Sequence, residues 1–175
     1  MDAIWAWGAP EFELTRQQWL PCEMESAFAF FEDPSNLPRI TPPWMGFRVL
    51  AMAPNTIRAG TQILYRLRWM GIPYLWRTLI ADWLPGERFV DTQLRGPYVY
   101  WHHTHSFVRC GAGVSISDRV RYRLPFGPLG VLLHRLLIRR QLEEIFDYRV
   151  RKVADILADG NVLAEPPDEI GTRLQ

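Results

Sequence analysis

Three of the chain's four histidines, His102, His103 and His105, fall within four positions of a β-rich, aromatic run, Gly96-Pro97-Tyr98-Val99-Tyr100-Trp101-His102-His103-Thr104-His105-Ser106-Phe107. Read with period 2, Trp101, His103, His105 and Phe107 share one face, and Tyr100, His102, Thr104, Ser106 and Val108 share the other. A Trp and a Phe would be wasted on water. The odd-numbered face is therefore expected to line an interior that needs some polarity, which suggests a ligand cavity. Gly111-Ala112-Gly113 next gives a tight-turn signal. Strands paired about Gly111-Ala112 bring His105 opposite Asp118, His103 opposite Val120 and Phe107 opposite Ile116. That register keeps the apolar parities on one side of the ladder.

A carboxylate against an imidazole fixes its tautomer and raises its pKa, which suits general acid–base chemistry. The same contact also serves as a structural hydrogen bond that satisfies a buried imidazole. His103 and His105 sit two apart on one strand face, as metal ligands can, but zinc needs at least a third protein ligand. Asp118 is a candidate for that place. His134 lies far along the chain and Cys110 has the wrong parity, so no metal and no other cofactor is expected. Arg77 shares parity with Leu75, Leu79, Ala81 and Trp83. An Arg on that face would meet an anionic ligand group or an interior carboxylate such as Asp91, or else would be a solvated side chain at a sheet edge.

Composition narrows the class. Hydrophobic residues make up 48% of the 175 and charged residues 22%, as in ordinary globular chains. A net charge of +1 argues against a dedicated nucleic-acid binder, which usually carries a clear basic excess. Two cysteines, Cys22 and Cys110, are too few for a disulfide framework and point to a reduced, cytoplasmic protein. The opening ten residues lack the basic start of a signal peptide, and no apolar run reaches the ~18 residues needed to span a bilayer.

The elements that must position these residues follow in order. Glu11 to Leu20 reads as a first strand. Pro21 and the early glutamates open a short helix with Met24, Ala27, Phe28 and Phe31 as its apolar stripe, stopped at Asp33-Pro34. Ser35 to Ile40 suggests a second short helical turn. Strand-like runs then recur at Phe47–Met52, Thr61–Met70, Tyr74–Trp83, Arg88–Leu94, the histidine run to Cys110, and Val114–Leu124, a spacing that favours an antiparallel meander. Arg66, Arg68, Arg119, Arg121 and Arg123 alternate with apolar residues and should form its wet face. Pro128 opens a long helix from about Leu129 to Leu157, whose apolar residues, including Leu129–Ile138, are expected to pack into the sheet rather than onto a membrane. One strand, two short helices, six strands and a long helix make an α+β chain, a seven-stranded twisted sheet that can grip one helix. A single domain at 11–158 is expected between tails at 1–10 and 159–175.

Over about residues 11–158 the chain resembles the SRPBCC superfamily, the START-related helix-grip proteins that include polyketide cyclase/dehydrase-like and pollen-allergen-like members. The resemblance is carried by Ala27-Phe28-Ala29-Phe30-Phe31-Glu32-Asp33-Pro34-Ser35-Asn36-Leu37, Ile40-Thr41-Pro42-Pro43-Trp44, Gly71-Ile72-Pro73 with Trp76-Arg77, Phe89-Val90-Asp91, the histidine run, Asp118-Arg119-Val120-Arg121-Tyr122 and Leu124-Pro125-Phe126-Gly127. It implies a helix-grip fold with a cavity between sheet and long helix, and no catalytic residue carries over with it. The expected walls are Trp69, Trp76, Trp101, Phe107, Tyr122, Leu133 and Leu137, with His103, His105, Asp118 and Arg77 orienting a lipid-like or polyketide-like ligand. The alternative is a cyclase- or dehydratase-like enzyme using His105 and Asp118 as its acid–base pair, with no cofactor.

Overall fold

The computed structural model describes residues 10–69 and 71–158. The expected tails lie outside that range except for Pro10. Seven strands form one antiparallel sheet: β1 (Phe12–Leu20), β2 (Arg48–Ala53), β3 (Gln62–Trp69), β4 (Ile72–Leu84), β5 (Arg88–Arg95), β6 (Tyr100–Cys110) and β7 (Gly113–Arg123). Their order is β1-β7-β6-β5-β4-β3-β2, so β2 to β7 form a meander and β1 closes onto its last strand. A helix, α1 (Met24–Glu32), and two 3-10 turns (Pro34–Arg39, Pro43–Met45) link β1 to β2. The C-terminal helix runs as α2 (Gly127–Leu133), a π turn (His134–Ile138) and α3 (Arg139–Ala158). This is a helix-grip fold.

The hairpin between β6 and β7 forms as its sequence predicts. Gly111 adopts φ 60, the left-handed conformation that the first position of a two-residue turn needs, and Cys110 pairs with Gly113. His105 lies opposite Asp118, His103 opposite Val120 and Phe107 opposite Ile116. Gly113 is required for a second reason: a Cβ there would stand 2.2 Å from the Leu20 carbonyl oxygen of β1.

The inner sheet face and α3 enclose two joined apolar clusters. One gathers Tyr65, Trp76, Tyr98, Trp101, Tyr122, Leu142, Ile145 and Phe146, and the other Phe28, Phe89, Phe107, Ile116 and Val153. Leu37 and Trp83 pack against both. Arg66, Arg68 and Arg119 are exposed on the outer face, where Arg119 and Arg121 pair with Glu13 and Glu11 of the neighbouring strand end.

The start of the long helix departs from expectation. Its inward stripe runs Gly130, His134, Ile138 and Leu142, a spacing of four that the wider π turn sustains. Gly130 lets the helix settle on the β7 exit, because a Cβ there would stand 2.2 Å from the Pro125 carbonyl. The leucines between these positions therefore point outward. Leu129, Leu132, Leu133, Leu136 and Leu137 are exposed, so this segment does not pack its leucines into the sheet.

Candidate functional site

Between the inner sheet face and α3 lies a cavity of about 150 Å³. Of the residues the sequence assigns to a cavity, Trp69, Trp76, Trp101, His103 and His105 line this one. They are joined by Tyr65, Thr78 and Trp83 from β3 and β4, Asp91 from β5, Ile145, Phe146 and Arg149 from α3, and Asn36 and Leu37 from the first 3-10 turn.

Other expected wall residues sit elsewhere. Phe107 is buried beyond the cavity, packed on Phe28 and Phe31. Tyr122 lies fully buried behind Trp101, and its hydroxyl meets His134 Nε2 at 2.9 Å. Leu133 and Leu137 face away from the cavity for the helical reason given above.

Arg77 is also outside. Trp76, Thr78 and Ile80 point inward, which places Arg77 on the outer face with the exposed Leu75. The parity that grouped Arg77 with Trp83 fails because of a bulge. Ile80 pairs with Asp91 but Asp82 pairs with Val90, so Ala81 is the extra residue and Trp83 is turned to the inner side.

The polar heart of the wall is a ring of two histidines and two aspartates across the adjacent strands β5, β6 and β7. Asp91 lies directly across from His103, and Asp118 directly across from His105. Asp118 Oδ1 is 2.9 Å from His103 Nε2 and 2.7 Å from His105 Nδ1, though the latter lies off the direction of a well-formed hydrogen bond. On the other side, Asp91 Oδ2 is 3.2 Å from His103 Nδ1 and 3.5 Å from His105 Nε2. The two imidazoles lie with centroids 3.8 Å apart, and Phe89 stacks on His105 at 4.2 Å. Both histidines are buried, and Asp118 sits behind them, away from the lining.

Electrostatics holds this ring together. Burial alone would raise the Asp91 carboxyl, but the neighbouring histidines outweigh it and hold the group well below the usual carboxylate range. Asp118 is lowered in the same way, against its own burial, by His105 and His103. Burial would depress His103, yet the two carboxylates override it and raise its pKa. Burial also pushes the Tyr65 and Tyr98 hydroxyls up, so both stay neutral. Arg149 reaches the lining with its Cζ 5.0 Å from the Phe146 ring centre, and its buried Nε has no hydrogen-bond partner among the described residues.

Sequence reading finds both histidines and Asp118 but names Asp91 only as one alternative partner of Arg77 and leaves Arg149 among the helix charges. The spacing signal for Asp91 exists only once β5 is registered on β6. Tyr65, Thr78 and Arg149 carry no local signal, because the curl of the sheet around α3 alone brings them together.

No family model and no curated protein matches the sequence. Solved structures do match in fold. The di-domain ARO/CYC StfQ from the steffimycin biosynthetic pathway superposes with a TM-score of 0.68 at 15% identity, over 86% of this chain and 51% of that one. This chain thus spans about half the length of that two-domain protein. A protein from Thermus thermophilus gives a TM-score of 0.66 at 17% identity, over 86% of this chain and 99% of that one. A START superfamily protein from Mycobacterium smegmatis gives 0.64 at 10% identity, over 85% and 99%. Sheet order, the short helices before β2, the gripped C-terminal helix and these superpositions agree: the chain has a START-like helix-grip fold.

Proposed function

We propose that this chain binds a hydrophobic small molecule in the cavity between its sheet and α3. The observation that carries the reading is a wall of tryptophans and aliphatic side chains with a few convergent polar groups, namely the histidine–aspartate ring and Arg149. Magnitude narrows the ligand class. A cavity of about 150 Å³ is of the size that admits a small aromatic compound, whereas drug-sized ligands need about 300–1,000 Å³. A compact ring compound of the polyketide-like kind fits this volume better than a long lipid chain. Arg149, whose buried Nε has no partner among the described residues, suits an anionic or carbonyl substituent on that ring.

The alternative, a cyclase- or dehydratase-like enzyme working through His105 and Asp118, rests on the same ring of residues. The geometry supports it less. Three of the four imidazole nitrogens stand within 3.2 Å of a carboxylate oxygen, and the fourth, His105 Nε2, is 3.5 Å from Asp91.

The test is titration of the cavity tryptophans with naphthol and with naphthalene sulfonate, beside native mass spectrometry of the purified protein. Leu142→Trp, which fills the cavity from α3, should weaken both probes at least about tenfold. Arg149→Met should weaken the sulfonate and leave naphthol within about threefold. Saturable binding absent from the wild type, or unaffected by Leu142→Trp, would sink the proposal.

A further inference from the structure

We infer that Asp91, His103 and His105 form a binding site for one divalent first-row transition-metal ion, of the zinc or iron(II) kind, with an open position facing the cavity. The inference begins with which nitrogen faces which carboxylate. His103 Nε2 and His105 Nδ1 both turn to Asp118 Oδ1, at 2.9 and 2.7 Å. The His103 Nε2 contact is a well-formed hydrogen bond that fixes that ring's tautomer, while the His105 Nδ1 contact is close but off line. His103 Nδ1 and His105 Nε2 then present lone pairs, and both converge on Asp91 Oδ2. With both rings neutral in that tautomer, these lone pairs would face a carboxylate oxygen, an arrangement that needs a cation, a proton or a metal ion, between them.

The distances fit a metal better than protons. A charge-assisted N–H···O bond is about 2.7–2.9 Å long. Here the nitrogen–oxygen separations are 3.2 and 3.5 Å. Ligand bonds of about 2.0–2.1 Å around a tetrahedral ion place neighbouring ligand atoms about 3.3 Å apart. One ligand atom from each of the three residues lies within 4.8 Å of the others. The donor set of two imidazoles and one carboxylate is the kind that selects zinc or iron(II) over magnesium or calcium. Charge also balances. Asp91 and Asp118 bring two buried negative charges, and a doubly charged ion neutralises them with both imidazoles neutral.

Asp118 is a positioning residue in this arrangement, holding both rings from behind, as outer carboxylates do for metal-bound histidines. The sequence pointed to Asp118 as the candidate third ligand. The register of β5 on β6 gives that place to Asp91. The open side of the site faces Trp101, Phe146 and Arg149, so a bound ion would sit where the organic ligand's polar end is expected.

The experiment uses the full chain stripped with EDTA. Cobalt(II) is titrated while visible absorption is followed, zinc is titrated by calorimetry, and imidazole nitrogen NMR is recorded on the zinc-loaded protein. One equivalent of each metal should bind, with the nitrogen shifts confined to His103 Nδ1 and His105 Nε2. Asp91→Asn and His105→Gln should lose affinity by at least about a hundredfold, and Asp118→Asn by about 10–100-fold. The inference is overturned if the stripped wild type takes up neither metal stoichiometrically, if the shifts fall on the nitrogens facing Asp118, or if Asp91→Asn and His105→Gln bind as the wild type does. The nitrogen assignment needs no variant to fold. Naphthol titration of the stripped protein keeps the two proposals apart: lost metal uptake with naphthol binding retained overturns the metal site alone.

Discussion

At the scale of single residues, the chemistry of this chain is a matter of which buried polar groups have partners. His105 and Asp118 can be paired from sequence because a two-residue turn leaves one possible register. Asp91 cannot, because β5 and β6 are joined by a longer loop, residues 96–99, whose length does not fix a single register. His134 shows the same limit. It is legible only as a distant helical histidine, yet it is buried against Phe12, with ring centroids 3.5 Å apart, and bonded to the Tyr122 hydroxyl. Burial depresses its pKa, and Arg139 and Arg135 add to the effect against the weaker pull of Glu143. The same burial pushes the Tyr122 hydroxyl up to about 12. A histidine whose folded pKa lies below its unfolded value of 6.5 binds its proton first in the unfolded chain. Its contribution is complete above that pH and is lost as the pH falls through the folded pKa. Urea unfolding of wild type and His134→Gln between pH 7.5 and pH 5 should therefore show the wild type losing more stability on acidification. Parallel pH profiles would remove His134 as the cause.

Elements are more legible than their faces. All seven strands and both kinds of helix follow from turn residues and alternation, and the sequence places the β6–β7 hairpin in its observed register. What fails is the assignment of sides wherever the period slips. The bulge at Ala81 moves Trp83 inward and leaves Arg77 outside, and an inward helix stripe of Gly130, His134, Ile138 and Leu142 leaves five leucines at the surface. Periodicity assumes a constant repeat, so one inserted residue in a strand, or one wider turn in a helix, reverses every later assignment. Close backbone contacts are equally silent in sequence. Gly113 reads as a turn glycine, but its missing Cβ also leaves room for the β1 carbonyl of Leu20. Gly113→Ala should thus destabilise the fold by about 1–3 kcal/mol through displacement of β1 from β7. The denaturation midpoint in urea checks this, and a change under about 0.5 kcal/mol, the range of an ordinary surface substitution, would show that β1 yields without cost.

For the molecule as a whole, the sheet grips its helix through a wall that is not completely filled. Protein interiors ordinarily leave few voids larger than a water molecule. This one keeps a space of about 150 Å³. Unfolding eliminates such space, and hydrostatic pressure favours whichever state has the smaller volume. The unfolding volume of the chain, within the usual range of about −20 to −100 mL/mol, should accordingly depend on what occupies that space. A ring compound seated among Trp76, Trp101 and Phe146 would occupy that volume. Saturating naphthol should make the unfolding volume less negative, as read from tryptophan fluorescence under pressure, and identical values with and without it would mean that the compound sits elsewhere. The hollow beside α3 thus makes the native state compressible, and its occupant would act as a strut.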